Sequence, residues 1–299
     1  MVRSITSIMA VLLASFMLTS QLTYTFGASA TWYPPWGTGF YGESALKSNG
    51  VCSHNGYATG SANNGYLGLW TQEEALGFGQ CQSQARGGWG NANKEFPFAL
   101  NQANPAFMNA LMASINNQEK QEEVQLSQVA QEVAIRAGLP LNFFDTLAKS
   151  NISGTLAMVS NSPVSFTPQA TAIASVTSNV KWTGNLYAYV VGIGQAIITV
   201  KALLFVWDET LGNSSTVTMS GIPADWQCNI GSGSCNQNLN EITTLSASYA
   251  FISGHTYEVE VDIYITVAAV AALTDVFARA DFFTESNFGI WIQWVSFNY

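Results

Sequence analysis

The chain has 299 residues, of which 48% are hydrophobic and only 10% are charged. Its 19 acidic residues outnumber 10 basic ones, giving a formal net charge of −9. So few Lys and Arg exclude a nucleic-acid or anionic-membrane binder, because basic side chains carry the affinity for phosphate surfaces.

Residues 1–30 read as a secretory signal. Arg3 is the positive start, "ITSIMAVLLASFML" the apolar core, and Ala28-Ser29-Ala30 the small-residue cleavage site. The apolar core covers 14 residues, short of the ~20 that a helix needs to span a bilayer. Cleavage leaves a chain that starts at Thr31 and has 269 residues (299 less 30). That is enough for one large domain or two small ones, with no integral membrane segment after processing. The expected location is secreted or on the extracellular cell surface.

Residues 31–104 form a region rich in Gly, Asn and aromatics, which predicts short β-strands. Asn49-Gly50, Asn55-Gly56 and Asn64-Gly65 are hairpin-turn dipeptides. Pro34 and Pro35 exclude a central strand at the start of this region. Trp36, Trp70 and Trp89 lie among Gly, Asn and Gln. Such rings stack on sugar faces while the amides bind hydroxyls; the alternative is that they fill a core.

Residues 105–150 predict a helical insert. Phe107, Leu111 and Ile115 recur at i, i+4 and i+8, and Val129 and Val133 continue the i, i+4 spacing. Asn104 and Pro105 suit the helix start, and Gly138 and Pro140 its end.

Residues 151–299 predict a β-sandwich of seven strands parted by Gly, Asn, Pro and Ser turns. The stretch 186–207 is apolar enough for a membrane helix. Its Gln195, Lys201, Gly192 and Gly194 fit two strands joined at Gly-Ile-Gly better. In "HTYEVEVDIYITV" (255–267), Tyr257, Val259, Val261, Ile263, Ile265 and Val267 share one face of a strand. Glu258, Glu260 and Asp262 share the other, with neighbours ~7 Å apart. The favoured reading is a solvated face whose charge discourages edge pairing. The alternatives are an acid/base pair for sugar cleavage or part of a Ca²⁺ site. The last strand, "GIWIQWVSFNY" (289–299), carries no charged side chain. It is a candidate for pairing with another copy, but the favoured reading is pairing inside its own sheet.

The four cysteines, Cys52, Cys81, Cys228 and Cys235, allow three pairings. Proximity in sequence favours Cys52–Cys81 and Cys228–Cys235, and export favours oxidation. A disulfide at Cys52 removes the thiol that nearby His54 would otherwise activate. Asn151 and Asn213 are glycosylation sequons in predicted loops. No H-E-x-x-H, G-x-S-x-G, Walker A or C-x-x-C-H motif occurs, so no catalytic residue, metal or cofactor is predicted.

The pattern "ISGHTYEVEVDIYI", a turn with Gly-x-x-Tyr leading into an alternating strand, resembles the jelly-roll-like β-sandwich modules of secreted and cell-surface proteins. That resemblance implies a mainly β, antiparallel fold and a role in adhesion, glycan binding or surface-layer and filament building. The expectation is a secreted or cell-surface structural or adhesive protein whose partners are glycans or other copies of itself. The alternative is a carbohydrate-binding or carbohydrate-active protein using the Trp-rich region, with Glu258 or Glu260 as acid/base.

Overall fold

The computed structural model describes residues 29–32, 38–61, 63–90, 124–149, 155–159, 165–166, 171–208, 210, 217–219 and 226–298. Among these residues the fold is mainly β and antiparallel, with one α-helix, α1, at 124–136. The strands are β1 (Ser29–Trp32), β2 (Thr38–Ser61), β3 (Tyr66–Gly90), β4 (Thr155–Val159), β5 (Ser165–Phe166) and β6 (Ala172–Asp208). Then follow β7 (Val217–Met219), β8 (Trp226–Ile230), β9 (Gly233–Phe251), β10 (Tyr257–Phe282) and β11 (Gly289–Asn298).

β6 is the spine. Along one edge it pairs with β10 and then with β11, which lie end to end. Along its other edge it pairs with β9, β8 and β7 in turn. β3 pairs with the far edge of β10, β2 with β3, and β4 with the start of β2. Strands from both the N-terminal and C-terminal regions therefore interleave in one sheet.

The expected turns prove to be of two kinds. Asn64-Gly65 is a hairpin turn between β2 and β3, and Gly65 has φ 65°. Asn49-Gly50 and Asn55-Gly56 are not turns; they lie inside β2. Gly192-Ile193-Gly194 does not separate two strands either, because β6 runs through it for 37 residues. The glycines serve a crease instead. Gly50 (φ 81°), Gly77 (φ 64°), Leu273 (φ 59°) and Gly192 (φ 83°) lie on four successive strands. Strand pairing slips beside all four, between Gly50 and Cys52 opposite Gly77, and between Ala272 and Asp275 opposite Gly192.

At this crease the sheet doubles back. A straight strand of that length would span ~120 Å at ~3.3 Å per residue. Yet Phe251 pairs with one end of β6 and Tyr257 with the other, and their rings are 4.7 Å apart. Likewise Thr71 and Ser83, on either side of Gly77 in β3, share a 2.8 Å hydroxyl contact. The result is two layers made from one sheet. Layer I holds β9, β11, β1 and the crease-proximal halves 172–191, 275–282, 66–76 and 51–61. Layer II holds 193–208, 257–272, 78–90 and 38–50, with the short strands β4, β5, β7 and β8.

The core fills the space between the layers. Leu67, Leu69, Val180, Trp182 and Ile290 face it from layer I; Ile198, Leu204, Val261, Ile263 and Ile265 face it from layer II. The slip at Leu273 changes the parity of β10. Odd positions such as Val267 point inward before it, and even ones such as Val276 and Phe282 after it.

α1 covers the opposite face of layer II. Leu126, Val129, Ala130, Val133 and Ala134 form its apolar stripe against Ile197, Ala268, Val270 and Ala272. It ends at Gly138 (φ 69°), with Leu139 N–H on the Ala134 carbonyl at 2.9 Å and Gly138 N–H on that of Ile135 at 3.0 Å. The expected helix start at Asn104 lies outside the described residues. So do Trp36 and the sequons at Asn151 and Asn213.

β11 is no free edge. It is held by β6 on one side and by β1 and β3 on the other, so it pairs inside its own sheet, in keeping with the favoured reading, and offers no open backbone to another copy. β1 straddles the expected cleavage point, and processing after Ala30 leaves Thr31 and Trp32 paired with Ser296 and Val295.

Candidate functional site

The carboxylate row is not a solvated face. Glu260 is 1% exposed and Asp262 is 0%. Alternation assigned their parity, but this side of layer II is covered as well. The same parity continues to Ala268 and Val270 beneath α1. Asp262 Oδ2 accepts from Arg86 Nη2 at 2.6 Å and from the Tyr264 hydroxyl at 2.8 Å. The Arg86 guanidinium lies 4.4 Å from the centre of the Tyr264 ring. Burial works against the Arg86 charge, but the fields of Tyr264 and Asp262 outweigh it and raise its pKa. Burial also lifts the Tyr264 hydroxyl well above its ordinary value. Asp262 is thus committed to an internal ion pair. The side chain of Glu258 lies outside the described residues.

A second buried cluster was not foreseen. His54 sits between Glu73, at 2.9 Å from Nδ1, and Glu43, bonded at Nε2. Glu73 is fully buried and the other two side chains nearly so. The crease brings them together: Glu73 is opposite His54 on β3, while Glu43 belongs to the other arm of β2. Gly56 leaves room for Glu43, because a Cβ there would lie 2.5 Å from Glu43 Cγ. Burial tends to lower the His54 pKa, but the hydrogen bonds and charges of Glu43 and Glu73 raise it to about 9. Burial raises the Glu73 carboxyl. Both imidazole nitrogens are engaged, so no ring nitrogen is left to move a substrate proton. The cluster fastens one arm of β2 to the other. No motif marked it: His54 read only as a neighbour of the Cys52 thiol, and nothing in the sequence tied it to Glu43 or Glu73.

Cys52–Cys81 forms beside it, with an S–S distance of 2.07 Å. His54 therefore has no thiol to activate. Cys235 is also disulfide-bonded, while the side chain of Cys228 lies outside the described residues. A third polar knot closes the junction where the ends of β6 meet. Asp208 Oδ2 is 2.6 Å from His255 Nδ1, and Asp208 Oδ1 accepts from Thr210 N–H at 2.9 Å. Burial pushes the neighbouring Tyr257 hydroxyl up to about 12.

The predicted tryptophans separate. Trp89 is 2% exposed within the core, so its ring is not offered to a ligand. Trp70 lies on the outer face of layer I, and aromatic neighbours surround it there. Tyr57, 49% exposed, stands opposite Trp70 on β2 and packs on Phe283 at 4.8 Å. Tyr66 packs on Trp291 at 5.5 Å. Arg279 lies 5.7 Å from the Trp70 ring, and Lys181 5.4 Å from that of Trp291. Asp281 braces this end of the face. Its Oδ1 accepts from the N–H groups of Phe283 (3.0 Å) and Thr284 (2.9 Å). Burial opposes its charge, but Thr284, Phe283 and Arg279 outweigh burial and lower its pKa.

Across the same face, towards β9, the side chains become amides and hydroxyls. Asn185 donates to Asn236 and Asn238 at 2.7 Å each, Asn179 to Gln293 at 3.2 Å, and Thr244 to Asn179 at 3.0 Å. The arrangement joins flat apolar rings to preorganised amide groups on an open sheet surface. Among the described residues, no three His, Cys, Asp or Glu side chains are grouped to hold a metal ion.

No family model matches the chain, and no curated protein matches it. Among solved structures, it aligns with a bacterial lipoprotein from Bacteroides thetaiotaomicron at 13% identity, over 91% of this chain and 95% of that one, with a TM-score of 0.17. It also aligns with infectious bursal disease virus of the Gx strain at 8% identity, over 91% and 79%, with a TM-score of 0.14. Scores at this level carry no argument about fold or function. Among the described residues, no helix is long and apolar enough to cross a membrane.

Proposed function

We propose that this chain is a secreted or cell-surface adhesive protein that holds glycans on the outer face of layer I. One observation carries the reading: Tyr57, Tyr66, Trp70 and Trp291 share an open sheet face with the Asn179 and Asn185 amide ladders. Sugars present flat C–H faces to aromatic rings and a rim of hydroxyls to amides. A rigid sheet fixes both kinds of group before the ligand arrives, which limits the ordering cost of binding. The disulfide supports an oxidising destination.

The test is retention on insoluble polysaccharides of differing linkage and charge, with Trp70→Ala and Tyr57→Ala beside the parent. The parent is retained on at least one matrix, and each variant is released at about tenfold lower affinity, a typical loss for a central aromatic. A parent that passes through every matrix overturns the reading.

A second reading, assembly into a surface layer, is favoured by β9. Among the described residues, no strand pairs with its outer edge along Gly233–Phe251. Concentration-dependent oligomers in size-exclusion chromatography, lost on Ser246→Pro, would support that reading over the first.

A further inference from the structure

The crease carries a crest of aliphatic side chains that the fold leaves in solvent. Val51 is 57% exposed, Leu76 39%, Val191 62%, Ile193 36% and Leu273 76%. They are neighbours across the sheet: Asp275 pairs with Leu76 on one side and Val191 on the other, and Ala272 pairs with Ile193. Val51 follows Gly50, Leu76 precedes Gly77, and Val191 and Ile193 flank Gly192. Three strands thus use glycine for the positive φ that the crease demands. β10 does not: Leu273 itself has φ 59°, a conformation that a bulky L-residue rarely adopts. A strained and exposed leucine at the apex is an outlier that points to a use, since glycine would make the same bend without strain.

We infer that this crest is a peripheral docking surface for a zwitterionic lipid bilayer. The area and chemistry decide the occupant. Five partly exposed aliphatic side chains offer a few hundred Å², against roughly 800 Å² per partner in a stable protein interface. The crest has no Trp, Tyr or Arg, the residues that anchor protein partners. It lies on the outside of a fold, where a rigid partner would need a matching furrow and a fluid apolar layer needs none. The nearby charges select among lipids. Glu74 and Asp275 lie two residues from Leu76 and Leu273; Arg136 is at the β6 end, where its Nη2 donates to the Gly194 carbonyl at 3.1 Å, and Lys149 bridges Asn49 at the β2 end. Two acids and two bases balance, so the border carries no net charge to draw an anionic headgroup.

The border of the crest extends the apolar surface. From Arg136 at Gly194 to Ala148, whose carbonyl accepts from Gly50 N–H at 2.9 Å, the chain follows the crease from β6 to β2. Along this path Ile135 is 62% exposed and Leu141 58%. The inference stands on the crest alone and does not depend on the glycan-binding face.

Flotation of the mature chain with phosphatidylcholine vesicles tests it. The parent floats with the vesicles. Leu273→Gly lowers the bound fraction at limiting lipid about tenfold, the loss expected for one leucine withdrawn from an apolar layer. Its melting temperature stays level or rises, because glycine relieves the backbone. Leu273→Gly with Val191→Ser leaves no detectable binding. The inference is overturned if the parent does not float, if Leu273→Gly floats as well as the parent, or if binding requires an anionic lipid. It is equally overturned if the crest instead mediates a dimer that forms without lipid and is lost in Leu273→Gly.

Discussion

The buried imidazole between Glu43 and Glu73 makes a prediction about stability and pH. His54 has a pKa of about 9 in the folded chain against 6.5 when unperturbed. The folded state therefore binds the proton more tightly than the unfolded state. Its stabilising contribution is complete below pH 6.5 and is lost as pH rises through about 9. At ~1.4 kcal/mol per pKa unit, the loss is about 3 kcal/mol. Glu73, also raised, has the same sign but acts from its ordinary value of 4.5 upward, so the alkaline half of the window reports His54. The perturbation is His54→Gln, which keeps a polar side chain and removes the titration. Urea unfolding, followed by tryptophan fluorescence, is measured from pH 6 to 9.5 with the disulfides intact. With a urea slope of about 3 kcal/mol per molar, the parent midpoint falls by about 1 M across this range. The variant starts lower and stays nearly level. A parent midpoint that does not move between pH 6.5 and 9, or a variant that keeps the same decline, refutes the reasoning.

Three further outcomes follow from the same geometry. Arg86→Met strands Asp262 in the interior and lowers stability by about 3–5 kcal/mol by thermal unfolding, and adding Asp262→Leu restores most of it; a double variant no better than the single one contradicts the ion-pair account. Cys52→Ser with Cys81→Ser opens a loop with a sequence separation of 29 and lowers stability by about 3–4 kcal/mol, read in non-reducing denaturant melts against the parent. Gly194→Ala costs more than about 2 kcal/mol, because its Cβ would lie 2.3 Å from Val276 Cγ2 and 2.9 Å from the Val270 carbonyl oxygen; Gly233→Ala, with open space around it, costs only about 1 kcal/mol for its φ of 87°, and equal losses at the two sites would refute the crowding argument.

Much of the β10 strand was legible, because Tyr257 through Val267 alternate without a break and their dry face is the core. The opposite face was misread for a physical reason. Polar side chains look alike in sequence whether they meet water or an ion-pair partner, and Arg86 lies far from Asp262 along the chain. The crease was hidden for another reason. Gly50, Gly77 and Gly192 supply positive φ, and that property serves a hairpin turn and a bend within a strand equally well. The Glu43–His54–Glu73 cluster was hidden because it depends on which faces the crease brings together, and no local spacing records that. The Cys52–Cys81 bridge was found because nearness in sequence held across the crease. Gly138 marked the end of α1 because a helix terminus uses glycine in one way. On the aromatic face, Gly, Asn and Gln neighbours singled out Trp70 in the sequence, but not Trp291. Nothing in "GIWIQW" tells which side of the sheet is open.

The order of strands also bears on how this chain reaches its native state. Val261 pairs with Trp89 and Phe282 with Leu69, separations of 172 and 213 positions. β3 is thus made long before the strand that covers its edge. Such pairing is slow, because a long loop must close before any contact rewards it. Throughout that interval β2 and β3 form an incomplete ribbon with an apolar face and an unpaired border, the kind of intermediate that aggregates or recruits a holding chaperone. Folding is therefore completed only after β10 has been delivered, and a nascent chain stalled before it holds the β2–β3 and β6–β9 pieces with no strand to join them.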